Sequence, residues 1–376
     1  MDFGLMYELG VAQPAGAGAE HEVFWNALEQ VAEADRLGYT HVWAVEHHFL
    51  QEYSHSSAPE VWLAAVAQHT ERIRIGHGVV QVPAGFNHPV RTAERAAALD
   101  IMSNGRLEFG TGRSITKEEL EGFGIPVEDS RPMWREAVEL IPRIWTTDGP
   151  IEFNGKYTTI PNRPIVPKPL QKPHPPLWSA ATSPPSYALA GELGMGVLGF
   201  ATGITPDVIG RRIAEYKEAL SRATPVGAIN DNVATFMLTF CAESDAEARQ
   251  IAEGPFAAYL DHTMEYFLHW GRGGELPPGY EWYAEASQHS AKLADHMKFD
   301  FLIENGVVLV GTPDTICTNI KRFEDVGVTQ IICGTQYPGI TQDQALSSIR
   351  MFAQEVIPNF AGADARTGSE EVIHAG

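Results

Sequence analysis

Two periodicities alternate along this chain, and that alternation limits the folds open to it. Short apolar runs at 3–8, 40–45, 73–82, 106–110, 176–180, 196–200, 232–242 and 330–333 read as buried strands. Segments with apolar residues at helical spacing lie between and after them, at 23–37, 59–69, 89–102, 133–145, 186–193, 206–220, 245–259, 313–326 and 342–356. In the first of these, Val23, Leu28, Val31, Ala34 and Leu37 share a face, and Gly38 ends it. Continuous apolar strands covered by crossover helices define a parallel α/β sheet. A doubly wound sheet and a closed barrel both satisfy that pattern. About eight strand–helix units in 376 residues favour an α/β (β/α)8 TIM barrel, which typically takes ~250 residues before insertions. A dinucleotide-binding sheet would carry Gly-x-Gly-x-x-Gly after its first strand, and the stretch 10–19 lacks that spacing.

A single domain over 1–360 is therefore expected, with insertions at about 151–176 and 261–305 and a disordered tail at 361–376. The run 151–160 reads as a hairpin turning at Asn154-Gly155. The proline-dense stretch 161–176 is expected to be extended. The segment 261–305 is too long for a plain loop and reads as partly helical or as a lid.

Charge and sulfur narrow the function. A net charge of −21 argues against a broad basic footprint for nucleic acid or an anionic membrane, while leaving room for one focused positive pocket. No apolar run approaches the roughly 20 residues of a membrane helix, and no basic-then-apolar leader opens the chain. A cytoplasmic location is expected. Cys241, Cys317 and Cys333 are scattered, suit a reducing compartment and offer no metal framework.

In a barrel of this kind, the C-terminal strand ends face the active site. Three segments fall there. Glu46-His47-His48-Phe49 follows the second strand, and alternation sends one histidine to the mouth and the other behind it. Two structural histidines, or a metal pair, are the competing readings; neighbouring strand residues diverge, which disfavours the metal. The run 106–113 ends in Gly-Thr-Gly-Arg, where glycines permit close backbone approach and Arg113 can fork onto a phosphate, or simply close a turn. Thr182, Ser183 and Ser186 open a helix and offer either an anion site or an ordinary N-cap. Arg113 and the hydroxyls together suit one phosphate, as in a mononucleotide. Tyr7, Phe49, Phe109 and Trp178 are candidate pocket walls.

The Glu46-His47-His48-Phe49 block resembles a signature of the luciferase-like flavin monooxygenases. His88-Pro89-Val90-Arg91, the run 103–110, Val310-Gly311-Thr312-Pro313 and the stretch 331–358 resemble the same family in order and spacing, over roughly residues 2–360. The resemblance implies a (β/α)8 barrel holding reduced FMN, supplied by a separate flavin reductase. It implies reaction with O2 through a C4a-hydroperoxyflavin to oxygenate a small organic substrate, and a homodimer formed through helices near 59–69 and 89–102. By matching positions, His47 takes the family's catalytic place. Arg113 takes that of the phosphate arginine; Thr182, Ser183 and Ser186 fall among further phosphate contacts. Gly78-Val79 matches a non-proline cis peptide under the flavin ring. Two departures stand out: Gly112 lies where the light emitters carry a reactive cysteine, and Thr182 replaces an acidic residue. Both point away from light emission and toward plain oxygenation. A deazaflavin-dependent hydride transfer on the same fold and a non-catalytic flavin-binding subunit are the alternatives.

Overall fold

The computed structural model describes residues 1–114, 116–267, 280 and 298–360. The expected tail at 361–376 and most of the segment 261–305 lie outside the described residues. Eight parallel strands close into a barrel with helices between them. They are Asp2–Tyr7, His41–Ala44, Arg74–His77, Leu107–Gly112, Leu177–Ala181, Gly196–Phe200, Val233–Cys241 and Gln330–Gly334. Closure is explicit in the register: Asp2–Met6 runs beside Gln330–Gly334, and Val233–Phe236 runs beside Val197–Phe200. The sequence places the barrel strands other than the third to within two residues because most of their positions are buried and apolar; Val233–Cys241 is buried at every position.

Helix boundaries follow local chemistry. Gly38, at φ 95°, stops the helix Ala19–Leu37 in the left-handed conformation that glycine adopts freely. Proline opens the helices at Pro59, Pro89, Pro184, Pro206 and Pro313, where its missing N–H costs nothing. Thr341 and Gln344 cap the helix Gln342–Met351 reciprocally.

Several expectations are corrected. The first helix begins at Ala19 instead of residue 23, and the helix expected at 133–145 spans Val127–Thr146, carrying Pro132 within it. The strand expected at 73–82 is split into Arg74–His77 and Val80–Gln81 by a cis Gly78–Val79 peptide. The hairpin forms, Pro150–Asn154 against Thr159–Pro164, but Asn154 pairs with Thr159, so the turn is centred on Lys156-Tyr157, two residues later than Asn154-Gly155. The Glu136 carboxylate draws the turn there by accepting the amides of Lys156 at 2.6 Å and Tyr157 at 3.2 Å. Two short elements escape the sequence reading, the helix Lys117–Gly122 and the strand Leu309–Gly311.

The lower half of the barrel is filled. Trp43 and Trp178 meet edge to face at 5.4 Å. The indole of Trp43 donates to Gln330 Oε1 at 3.2 Å, and that of Trp178 to Glu108 Oε2 at 2.6 Å. Arg74 closes the polar layer on Glu108. A side chain at Gly76 would come within 2.2 Å of the Trp43 ring, so this layer requires glycine. Space opens above it, toward the C-terminal strand ends.

Candidate active site

A cavity of about 520 Å³ opens there, lined by residues of or just beyond all eight strands, most of them near the C-terminal ends. His47 lies on its wall, while His48 turns away. The ring of His48 meets Phe123 edge to face at 4.9 Å, and its Nε2 sits 3.0 Å from Glu46 Oε1. Glu46 is itself fixed, accepting the Gln81 amide at 2.7 Å and Asn87 Nδ2 at 2.9 Å.

Glu119, which the motif reading missed, holds His47. It stands on the short helix Lys117–Gly122 and is fully buried. Its Oε1 faces His47 Nδ1 at 3.0 Å and accepts the His48 amide at 3.0 Å. Its Oε2 accepts the hydroxyls of Ser114 and Thr116, each at 2.6 Å. The pattern Thr116-x-x-Glu119 is a helix N-cap signature and was the available signal. Glu8 is the second missed carboxylate, a lone charge in the apolar run 3–9. Its Oε1 accepts the Tyr259 hydroxyl at 3.3 Å, and Tyr259 and Tyr53 share a hydroxyl contact at 2.8 Å. Its Oε2 is buried without a hydrogen-bond partner and lies 4.0 Å from His47 Nε2.

These neighbours set the proton on His47. Burial alone would depress the imidazole, but Glu119, with Glu8 and Glu46, holds it up at about 9. Burial pushes the Glu119 carboxyl up, yet His47 and the two hydroxyls outweigh that and keep it below the usual carboxylate range. For Glu8 burial prevails, and its carboxyl is raised. At neutral pH the site therefore holds an imidazolium whose Nδ1 is engaged by Glu119 and whose Nε2 faces the cavity, a proton donor rather than a base.

Gly78, Val79 and Gly112 form one stretch of the wall. A Cβ at Gly112 would lie 2.4 Å from Val79 Cγ2, so a cysteine there would press on the Val79 side chain. Arg113 reaches the cavity from the end of the fourth strand and donates to Ser130 at 2.9 Å and to the Tyr280 hydroxyl at 2.7 Å.

Thr182, Ser183 and Ser186 line the same cavity. Ser186 Oγ accepts the Ser183 amide at 3.0 Å and donates to the Ser183 carbonyl at 2.6 Å. Pro184 and Pro185 remove two of the amides a helix start would otherwise present to an anion. Arg212, unmarked in the sequence, supplies charge at this point: it is buried, lines the cavity and donates to the Thr182 carbonyl at 3.3 Å. Arg131 is the third guanidinium on the lining.

Tyr7, Phe49, Phe109 and Trp178 do not line the cavity. Tyr7 packs on Trp62 and Phe109 on Trp145, both outside the barrel, Trp178 lies in the lower layer, and Phe49 is 62% exposed. Strand alternation turned the first two outward, a register the run lengths left open. The aromatic walls are instead Tyr53, Trp134, Phe200, Phe236, Tyr259 and Phe301. Among the described residues, no group of histidine, cysteine and carboxylate side chains is placed to hold a metal ion. Cys241 and Cys333 are buried, and burial pushes both thiols up to about 12. No helix among the described residues is long and apolar enough to cross a membrane.

A family model for luciferase-like monooxygenases matches residues 1–330, and the chain belongs to that family. The oxygenase component of a flavin-dependent trigonelline monooxygenase from Acinetobacter baylyi is 25% identical over 347 residues, which span 91% of each chain. An F420-dependent glucose-6-phosphate dehydrogenase from Amycolatopsis mediterranei is 25% identical over 350 residues, 88% of this chain and 93% of that one. The crystal structure of the monooxygenase RslO1 from Streptomyces bottropensis superposes with a TM-score of 0.76 at 27% identity, covering 96% of this chain and all 100% of the other.

Proposed function

We propose that this protein is an FMN-dependent monooxygenase that takes reduced flavin from a separate reductase and places one oxygen atom of O2 on a small organic molecule. The observation that carries the proposal is a clamped histidine, His47 on Glu119, sharing one largely apolar cavity with three guanidiniums. The residues present fit the mononucleotide. Arg113, Arg131 and Arg212, with the hydroxyls of Thr182, Ser183 and Ser186, would hold a phosphate by side chains, as a helix start opened by two prolines demands. Gly78 and Gly112, which carry no side chains, would flank Val79 in a wall for a flat ring. Bound reduced flavin supplies the electrons that activate dioxygen. His47 holds a proton at Nε2 on the cavity wall and presents it to the oxygen that leaves or is reduced. Glu119 fixes the ring through Nδ1, and the aromatic walls exclude water. The name of the Acinetobacter relative, an oxygenase component, supports the separate reductase.

The homodimer belongs to the same proposal. Val61, Ile101 and Met102, on or beside the two helices that would meet, are exposed at 69%, 46% and 54%.

The test is anaerobic titration with reduced FMN, then rapid mixing with oxygenated buffer. Binding, followed by an oxygen-dependent absorbance transient that is shortened or lost in His47→Ala, is expected; no binding and no transient would overturn the reading. The Amycolatopsis relative supports a second reading, deazaflavin-dependent hydride transfer. Oxygen consumed in proportion to product separates the two.

A further inference from the structure

We infer that Glu8 and His47 form a hydroxyl-recognition pair, and that the substrate of the proposed oxygenation is an apolar, aromatic molecule bearing a hydroxyl group. The inference rests on the reading of the cavity as the active site. Glu8 is 4% exposed, on the cavity lining, and its Oε2 has no hydrogen-bond partner. Tyr259 holds the other oxygen, at 3.3 Å, and so fixes the carboxylate's orientation. A buried acceptor left without a donor is costly, on the order of 1–3 kcal/mol, and is kept where a ligand completes it.

The group opposite decides which ligand. His47 Nδ1 is engaged by Glu119, leaving Nε2 to the cavity, 4.0 Å from Glu8 Oε2. That gap is too long for a direct hydrogen bond. Glu8 Oε2 is closed to solvent in the free protein; with a small side-chain shift on binding, a single oxygen about 2.8 Å from both atoms would bridge the gap, donating to the carboxylate and accepting from the imidazolium. A hydroxyl does both at once. An ether or ketone oxygen accepts from His47 but meets the Glu8 lone pairs; an ammonium satisfies Glu8 but meets the imidazolium. The pair is complementary to a hydroxyl and to neither of the others. Tyr53, Phe236 and Tyr259 stand beside it on the lining and favour an aromatic skeleton.

The experiment compares 2-naphthol, 2-methoxynaphthalene and naphthalene, which share one skeleton and differ in hydrogen-bonding capacity. Binding to the full-length chain is measured by fluorescence, with and without oxidised FMN. The wild-type protein is expected to prefer 2-naphthol at least about tenfold over both others, because a site with buried polar groups rejects an analogue that leaves them unpaired. Glu8→Leu is expected to abolish the preference, lowering naphthol to the level of its methyl ether, and Glu8→Gln to retain part of it. Circular dichroism melting checks that the variants fold, and the wild-type comparison stands without them. Equal binding of naphthol and its ether, a preference that survives Glu8→Leu, or no binding of naphthol would overturn the inference. A failure of the flavin reading would appear separately, in the flavin titration run without any naphthalene.

Discussion

A carboxylate that accepts four hydrogen bonds cannot become an amide without consequences at each donor. Glu119→Gln should remove the charge that holds the His47 imidazolium at about 9 and bring its midpoint down toward the ordinary histidine value. Histidine proton resonances followed against pH check this directly, and the alkaline limb of the activity profile should fall with it. The stability effect has a definite sign. A folded-state value raised from 6.5 to about 9 stabilises fully below pH 6.5, and the contribution is lost as pH rises through 9. Urea midpoints at pH 6.5 and 9.5 should differ in the wild type and converge in Glu119→Gln. Gly112 poses a steric question. Gly112→Cys drives a side chain against Val79 and should cost roughly 1–3 kcal/mol, read as a lower melting temperature with weaker flavin binding. At this scale the sequence exposed His47 and Arg113 through local motifs, and it left Glu8, Glu119 and Arg212 unmarked. Each of those three arrives from a different element, so their convergence on one cavity depends on tertiary packing, which spacing along the chain does not encode.

The short helix Lys117–Gly122 shows how an element of six residues can matter to the site. It is too brief to display helical periodicity, which is why the pattern along the chain passed over it. Thr116 both caps it, accepting the Glu119 amide at 3.4 Å, and donates to the Glu119 carboxylate at 2.6 Å. Thr116→Ala should cost about 1 kcal/mol of stability. It should also lower the His47 midpoint by less than Glu119→Gln does, and Thr116→Ser should restore it; a melting curve and the same resonance measurement test both statements. The barrel strands were legible because most of their positions are buried and apolar. The third was misjudged only where the backbone breaks at Gly78–Val79, a feature of peptide geometry that residue type permits but does not announce. The hairpin erred in the opposite way. Its Asn154-Gly155 signal was present, but the carboxylate of Glu136, on a separate helix, moved the turn.

At the scale of the molecule, the three arginines on the cavity wall sit within a chain of net charge −21. Near contact and long range therefore oppose each other for any phosphate-bearing ligand. Within a few ångströms the guanidiniums attract; farther out, up to the screening length of about 30 Å at 10 mM salt and about 8 Å at physiological ionic strength, the ligand meets the field of the whole acidic body. Added salt shortens that length and removes the distant repulsion before it weakens contacts already made. Association of FMN should therefore quicken as sodium chloride rises from 10 to about 150 mM, the reverse of electrostatic steering. Stopped-flow quenching of flavin fluorescence would record the slope. On the proposed reading, a chain built this way should load flavin fastest in a salty solution, with its own surface setting the rate in dilute buffer.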